Sequence, residues 1–458
     1  MPVTLRLRRL IAAALPAVLA VAITACNDAA HPNSVFTRYT DFNRDIGSLF
    51  SILFWLGGFV FVFVEGILLW TIFRYRQRSE HDRPEHVHGN TTLEILWTAI
   101  PALILAFIAV PTVRTIFKTQ AVARADALQV EVVGHQWWWE FRYPQYKVTT
   151  ANELYLPIGR TVNFSLRTQD VLHSFWIPQM GGKRDLISNR TNYMWFTPDS
   201  TGEQAWNGMC VEFCGASHAN MRFKMFTVTA ANFESWAAHQ QTMAAFGAVT
   251  PTAPAAAPAA LSTTPTPATS ATLVPGAATL NGARTPGQAP AEAPTHDPKA
   301  MPAPVAAASG GATVQQAGFV AFPHDKLPRY VVPTTPMPAG LKYNDALKGD
   351  AERGRVLLSQ GAGGCVGCHM INGNPVMMGV IGPNLTHVAS RSTIAGGVFP
   401  NDASHLARWI KNARSMKPGV IMPTLGKGEY DPVTKGTLSA GLTDEQIADI
   451  VAYLQALK

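Results

Sequence analysis

Charged residues are scarce. They make up 15% of the 458 residues against 47% hydrophobic ones, which places the chain nearer the membrane class than ordinary soluble proteins. The formal charge is +7, yet no block of Lys and Arg interleaved with aromatics occurs, so nucleic acid is not an expected partner. No internal repeat is present, which argues against a solenoid or propeller. Cysteine is limited to five residues, so each can be assigned separately. A chain of this length is too long for one ordinary domain.

What is present falls into distinct stretches. Residues 1–26, "MPVTLRLRRLIAAALPAVLAVAITAC", join a basic start (Arg6, Arg8, Arg9) to a short apolar run, the pattern of a secretory signal. The ending "ITAC" resembles a bacterial lipobox, so residues 1–25 are expected to be removed and Cys26 to carry lipid. Within 26–120, two runs are long enough to span a bilayer, Gly47 to Phe73 and Leu93 to Phe117. The loop between them carries Arg74, Arg76, Arg78 and Arg83 and is expected to stay inside. Everything after Phe117 is then outside.

From 126 to 246 the texture is β. "LQVEVV" and "TVNFSLR" alternate with period two, and Val162, Phe164 and Leu166 are expected on one face. Turn signals such as "PIGR" and "PDSTGEQ" separate these runs, so a sandwich or small barrel is expected, closed by a helix over Phe233 to Phe246. Residues 247–318 are dominated by Ala, Pro, Thr and Gly, a composition expected to form a mobile linker that lets the last domain range widely. Residues 344–458 form an expected all-α domain. There Leu406, Trp409 and Ile410 share one helix face, and Thr443 with Gln446 caps a helix carrying Ile447, Ile450, Val451 and Leu454.

"CVGCH", Cys365 to His369, is the C-x-x-C-H of c-type haem attachment, in which Cys365 and Cys368 bond the haem and His369 ligates its iron. Neither a redox dithiol nor half a zinc site predicts the adjacent histidine, and no second cysteine pair follows in this domain. A methionine would complete the iron. In "MKPGVIMP", Met422 precedes a proline as in the cytochrome c loop, with Met416 as the other candidate; Met370, Met377 and Met378 lie nearer the attachment site. From Gly349 onward the chain resembles small class I cytochromes c, which implies Pro383 near the haem and Arg391 and Trp409 toward its propionates.

Only Cys210 and Cys214 remain, in "GMCVEFCGASHANM", with His218 and Met221. An outside location permits a disulfide, but a disulfide does not predict the histidine and methionine. Zinc rarely takes a thioether, whereas thiolate, imidazole and thioether together select copper. Two thiolates could bridge two coppers, each needing a histidine. "DVLHSFWIP" offers His173, and at this point the chain closely resembles subunit II of haem-copper cytochrome c oxidases.

The resemblance covers the hairpin, the β region and both motifs. It implies a cupredoxin-like barrel with a dinuclear copper A held by His173, Cys210, Cys214, His218 and Met221, and by the Glu212 backbone carbonyl. It also implies a magnesium shared with subunit I through the Glu212 carboxylate, electron acceptance at Trp137 in "GHQWWWEFRYP", and a proton-path role for Glu94. Trp138 stands where a tyrosine is common. Glu65, deep in the first span, is expected to face protein.

Fusion of copper A region, linker and cytochrome c resembles the caa-type oxidases. The implied function is electron transfer from cytochrome c, or another soluble or membrane donor, through haem c and copper A to subunit I for oxygen reduction. That would take place in a proton-pumping assembly with subunits I and III, at a bacterial cell membrane with both redox domains on its outer face. No catalytic residue for oxygen chemistry is expected on this chain. The alternative is a copper-A-containing nitric oxide reductase subunit; a quinol oxidase subunit is disfavoured by the copper ligands, and nitrous oxide reductase by the hairpin.

Overall fold

The computed structural model describes residues 31, 33–77, 79, 88–120, 123, 125–244, 322 and 326–458. The signal sequence, Cys26, Arg78, Arg83 and the 247–318 linker lie outside the described residues.

Two long helices open the structure, α1 (Asp41–Arg74) and α2 (Thr91–Gln120). At ~1.5 Å per residue each exceeds the ~30 Å hydrocarbon thickness. Their apolar side chains face outward, with Trp55 73% and Phe117 74% exposed, as a lipid-facing surface requires. Both run past the apolar stretches that mark them in the sequence. Thr40 caps α1 by accepting from the Asn43 N–H at 3.0 Å, seven residues before Gly47. The added turn is anchored to the outer domain: Phe42 is buried, the Asp41 carboxylate accepts from Thr197 N–H at 2.8 Å, and Arg44 pairs with Asp199. At the same end, Lys118 of α2 pairs with Asp45 at 2.7 Å.

Ten strands follow. One sheet has the order β3 (Val148–Ala151), β2 (Trp138–Tyr143), β1 (Leu128–His135), β5 (Val162–Thr168), β8 (Asn192–Phe196). The other runs β4 (Glu153–Pro157), β10 (Arg222–Val228), β9 (Gln204–Cys210), β6 (His173–Trp176), β7 (Arg184–Leu186). The antiparallel majority is interrupted by two parallel pairings, β1 with β5 and β4 with β10. Val162, Phe164 and Leu166 are all fully buried, as their alternation requires.

The two inner faces meet through aromatics: Phe223 stacks on Phe175 at 5.1 Å, and the edges of Trp139 and Phe141 meet it at 5.5 and 5.3 Å. This is a cupredoxin-like fold. Its closing helix, α3, spans Ala230–Gln240 rather than Phe233 to Phe246. Thr229 caps it earlier than the apolar pattern suggests, and Phe233 and Trp236 bury its inner face.

The C-terminal domain is helical: α4 (Ala351–Ser359), α5 (Ala403–Met416) and α6 (Asp444–Ala456). Asp350, Asp402 and Thr443 cap them, the last in a full capping box with Gln446. Arg353 of α4 meets Asp449 of α6 with two hydrogen bonds, 2.8 and 2.9 Å, which fixes the crossing of the terminal helices. Leu406, Ile410, Ile447, Ile450, Val451 and Leu454 form the core. This domain and the β domain belong to one compact unit, so the final domain, expected from composition to range widely, is seated on its neighbour here.

Candidate functional site

Two sites are built on this frame. In the β domain, Cys210 ends β9 opposite Phe175 of β6, so His173 at the start of β6 lies beside it. Residues 211–221 then turn back into β10 and carry the remaining donors. Cys210 Sγ lies 3.8 Å from Cys214 Sγ, 3.9 Å from His173 Nδ1 and 3.2 Å from the Glu212 carbonyl oxygen. Cys214 Sγ lies 3.6 Å from His218 Nδ1 and 3.8 Å from Met221 Sδ. The sulfur separation is far beyond the ~2.05 Å of a disulfide, and both cysteines are free. His173, Cys210, Cys214 and Met221 are buried and His218 is half-buried.

The chemistry of this donor set fits copper ions bridged by thiolates. Each sulfur has its own imidazole nitrogen, and the thioether and carbonyl stand on opposite sulfurs. The hydrogen bond between the two sulfurs lowers the pKa of the Cys210 thiol and raises that of the Cys214 thiol. Both become thiolates only when positive charge sits between them, which is what bridged metal ions supply.

The sequence reading did not single out the group behind His173. Asp170 Oδ1 accepts from His173 Nε2 at 2.8 Å, which leaves the Nδ1 lone pair for a metal. Burial opposes the His173 imidazolium, but the hydrogen bonds to Asp170 and Cys210 outweigh it and raise its pKa. Burial likewise works against the Asp170 carboxylate, and the hydrogen bonds from His173 and from the Gln136 and Val171 N–H groups lower its pKa nonetheless. An acidic residue three positions before the histidine was the available signal. Asp170→Asn is expected to weaken copper binding roughly 10–100-fold in a competition titration with a chelator of known affinity. Unchanged affinity would remove Asp170 from the site.

Trp137 touches the site directly: its Nε1 donates to the Cys214 carbonyl at 3.0 Å, and Gln136 Nε2 donates to the same oxygen at 2.7 Å. The Glu212 side chain is exposed beside Phe213, which is 76% exposed. Glu94 sits in the first turn of α2, and Glu65 is half-buried on α1; neither approaches the cysteines in sequence or element.

The second site is a cavity of about 310 Å³ lined by Cys365, Cys368, His369, Met422 and, among others, Arg391 and Trp409. His369 Nδ1 lies 2.8 Å from the Pro383 carbonyl. A carbonyl only accepts, so Nδ1 carries the proton and Nε2 keeps a lone pair for iron. Residue 382 must be glycine for this ring to fit, because a Cβ there would stand 2.6 Å from His369 Cε1.

Met422 faces the cavity, whereas Met416 is 6% exposed in the helical core and does not line it. Met377 is fully buried and Met378 is 69% exposed. These residues fit a haem that Cys365 and Cys368 would hold covalently, with His369 and Met422 as its candidate iron ligands. Met422→Leu is expected to open one iron position and lower the haem potential, since a methionine ligand raises it. Met416→Leu should cost at most about 1.5 kcal/mol of stability and leave the optical spectrum alone. The reverse pattern would exchange the two roles.

Comparisons with known proteins follow this geometry. Three family models match: the transmembrane domain of cytochrome c oxidase subunit II over residues 41–115, its periplasmic domain over 147–228, and cytochrome c over 351–458. Cytochrome c oxidase subunit 2 of Alkalihalophilus pseudofirmus is 39% identical, over 39% of this chain and 53% of that one. The protein of the same name from Bacillus subtilis is 38% identical, over 37% and 52%. Quinol oxidase subunit 2 of Bacillus subtilis is 32% identical, over 40% and 60%. The chain thus spans about half the length of these cytochrome c oxidase relatives.

Proposed function

Because the chain belongs to the cytochrome c oxidase subunit II family and carries a cytochrome c domain behind it, we propose that it is the electron-delivering subunit of a caa-type haem-copper oxidase. Membership implies copper A in the β domain and haem c in the C-terminal domain. The two apolar helices and the periplasmic-type domain fit a membrane protein with its redox domains on the outer face; we place it in a bacterial cell membrane. The convergence of two cysteines, two histidines, a methionine and a carbonyl carries this reading.

His173, Cys210, Cys214, His218, Met221 and the Glu212 carbonyl would hold two coppers, and Cys365, Cys368, His369 and Met422 one haem c. When bound, these groups supply one-electron carriers. The chain's own residues do the rest. Buried donors on β6, β9 and the 211–221 connection hold the copper ligands in one geometry whatever the charge, which keeps reorganisation small. Trp137, hydrogen-bonded to Cys214, lies on the electron path between the two domains.

The exposed Glu212 carboxylate would meet subunit I and share a magnesium with it. Glu94, at the inner end of α2, would border a proton path in that pumping assembly, in which subunit III is the further partner. Cytochrome c or another soluble or membrane donor would supply electrons. Cys26 would carry the lipid anchor.

Turnover by the complex purified through this chain tests the reading. Oxygen consumption driven by a reduced cytochrome c is the expected result. Nitric oxide reduction without oxygen consumption would contradict it.

A further inference from the structure

We propose that Glu153 of the β domain and Lys417 of the cytochrome domain are positioning residues that seat the one domain on the other, holding the haem cavity against Trp137 and closing that tryptophan to any second redox protein. The proposal rests on the functional reading above and adds a pose and its determinants.

Glu153 of β4 is 3% exposed; the buried Lys224 of β10 is its register partner within the β domain, but its carboxylate hydrogen bonds go to the cytochrome domain. Its Oε1 accepts from both the N–H and the Oγ of Ser392, each at 2.6 Å, across 239 residues of chain. Arg391, half-buried, lines both the small cleft that holds Glu153 and the haem cavity. Lys417 is 1% exposed and donates to the Trp137 carbonyl at 2.5 Å and the Ala395 carbonyl at 2.9 Å. Further bonds cross between the domains, among them Ser217 Oγ to the Pro418 carbonyl at 2.5 Å and Arg222 N–H to the Gly396 carbonyl at 3.0 Å.

Burial raises the Glu153 pKa, because the Ser392 hydrogen bonds do not fully offset it, and burial pulls the Lys417 ammonium down to about 7. Two ionisable groups held under such a penalty are poor adhesives compared with apolar residues of similar size. What they supply is register, since only one seating satisfies both.

That register matters for what it presents. Trp137 lines the same cavity as Cys365, Cys368 and His369. Its ring lies so close to the 419 backbone that a Cβ there would stand 2.7 Å from Cη2. Trp137 is consequently only 8% exposed. A soluble electron carrier cannot reach it while the domain is seated, so external electrons must arrive through the haem domain first.

The test uses the full chain loaded with copper and haem, comparing it with Lys417→Met, Glu153→Leu and the double variant. Haem c is reduced by a flash and the arrival of the electron at copper is timed. Exchange of the Arg222 amide hydrogen, whose acceptor on Gly396 neither change touches, is followed in parallel. Expected are intact spectra of both centres, transfer slowed by about tenfold or more in the double variant, and faster exchange at that amide. Added reduced cytochrome c should reduce copper only after haem c in the unaltered chain, and directly in the double variant.

Unchanged transfer and unchanged exchange with both centres intact would overturn the proposal. A chain lacking one of the centres would contradict the functional reading instead. The exchange measurement, which needs no electron transfer, would then still decide the docking, with unchanged protection in the double variant counting against it.

Discussion

Cys214→Ser is expected to give a chain that keeps its haem c and loses its copper. The serine hydroxyl is of similar size, so the fold of the 211–221 connection should survive. It does not ionise near neutral pH, however, and so cannot supply the second bridging anion. Cys214 is also the sulfur nearest His218 and Met221, and its carbonyl takes hydrogen bonds from Trp137 and Gln136. Replacing the sulfur would leave His218 and Met221 without the thiolate beside them, while the backbone carbonyl keeps its bonds from Trp137 and Gln136. The loss of copper affinity should exceed the roughly 10–100-fold expected for an outer residue such as Asp170. Copper analysis beside the haem c spectrum checks it. Copper retained at the unaltered level would mean that the two cysteines do not bridge.

The second large effect is structural and lies two residues before Cys210. A Cβ at Gly208 would stand 2.0 Å from Phe223 Cζ and 2.3 Å from both Cε atoms. Phe223 cannot retreat: it is fully buried, stacked on Phe175 and flanked by Trp139 and Phe141. Interiors packed this closely do not absorb an added methyl without moving backbone. Gly208→Ala is therefore expected to destabilise the β domain by about 3 kcal/mol or more.

Truncating the obstacle should undo part of this. Phe223→Leu in the Gly208→Ala background should be less damaging than the sum of the two single changes, because the residues share one space. Denaturant unfolding followed by tryptophan fluorescence reads both. A Gly208→Ala domain within about 1 kcal/mol of the unaltered one would contradict the packing described here.

How far the sequence reaches depends on the separation of the residues involved. Cys210, Cys214, His218 and Met221 lie within one short connection, so their chemistry is visible as spacing, and the same is true of "CVGCH". Alternation in β5 and the capping box of α6 are equally local. Helix ends are less so: α1 starts at Asp41 because Thr40 caps it and Phe42 finds a place under the β domain, and neither fact is a hydropathy signal. The seating of the cytochrome domain is not readable at all. Glu153 meets Ser392 across 239 residues and Lys417 meets Trp137 across 280, and each looks like an ordinary surface charge in its own stretch. The composition of the intervening segment suggests freedom of movement, and only the packing surfaces reveal where that movement ends.

The central claim is that one chain holds a thiolate-bridged copper pair and a haem c. Electron paramagnetic resonance of the purified full chain, with copper, zinc and haem quantified on the same sample, tests it most directly. The account predicts two coppers sharing one unpaired electron, together with one covalently bound haem. Zinc in place of copper, or a single copper whose unpaired electron is confined to one ion, would contradict it.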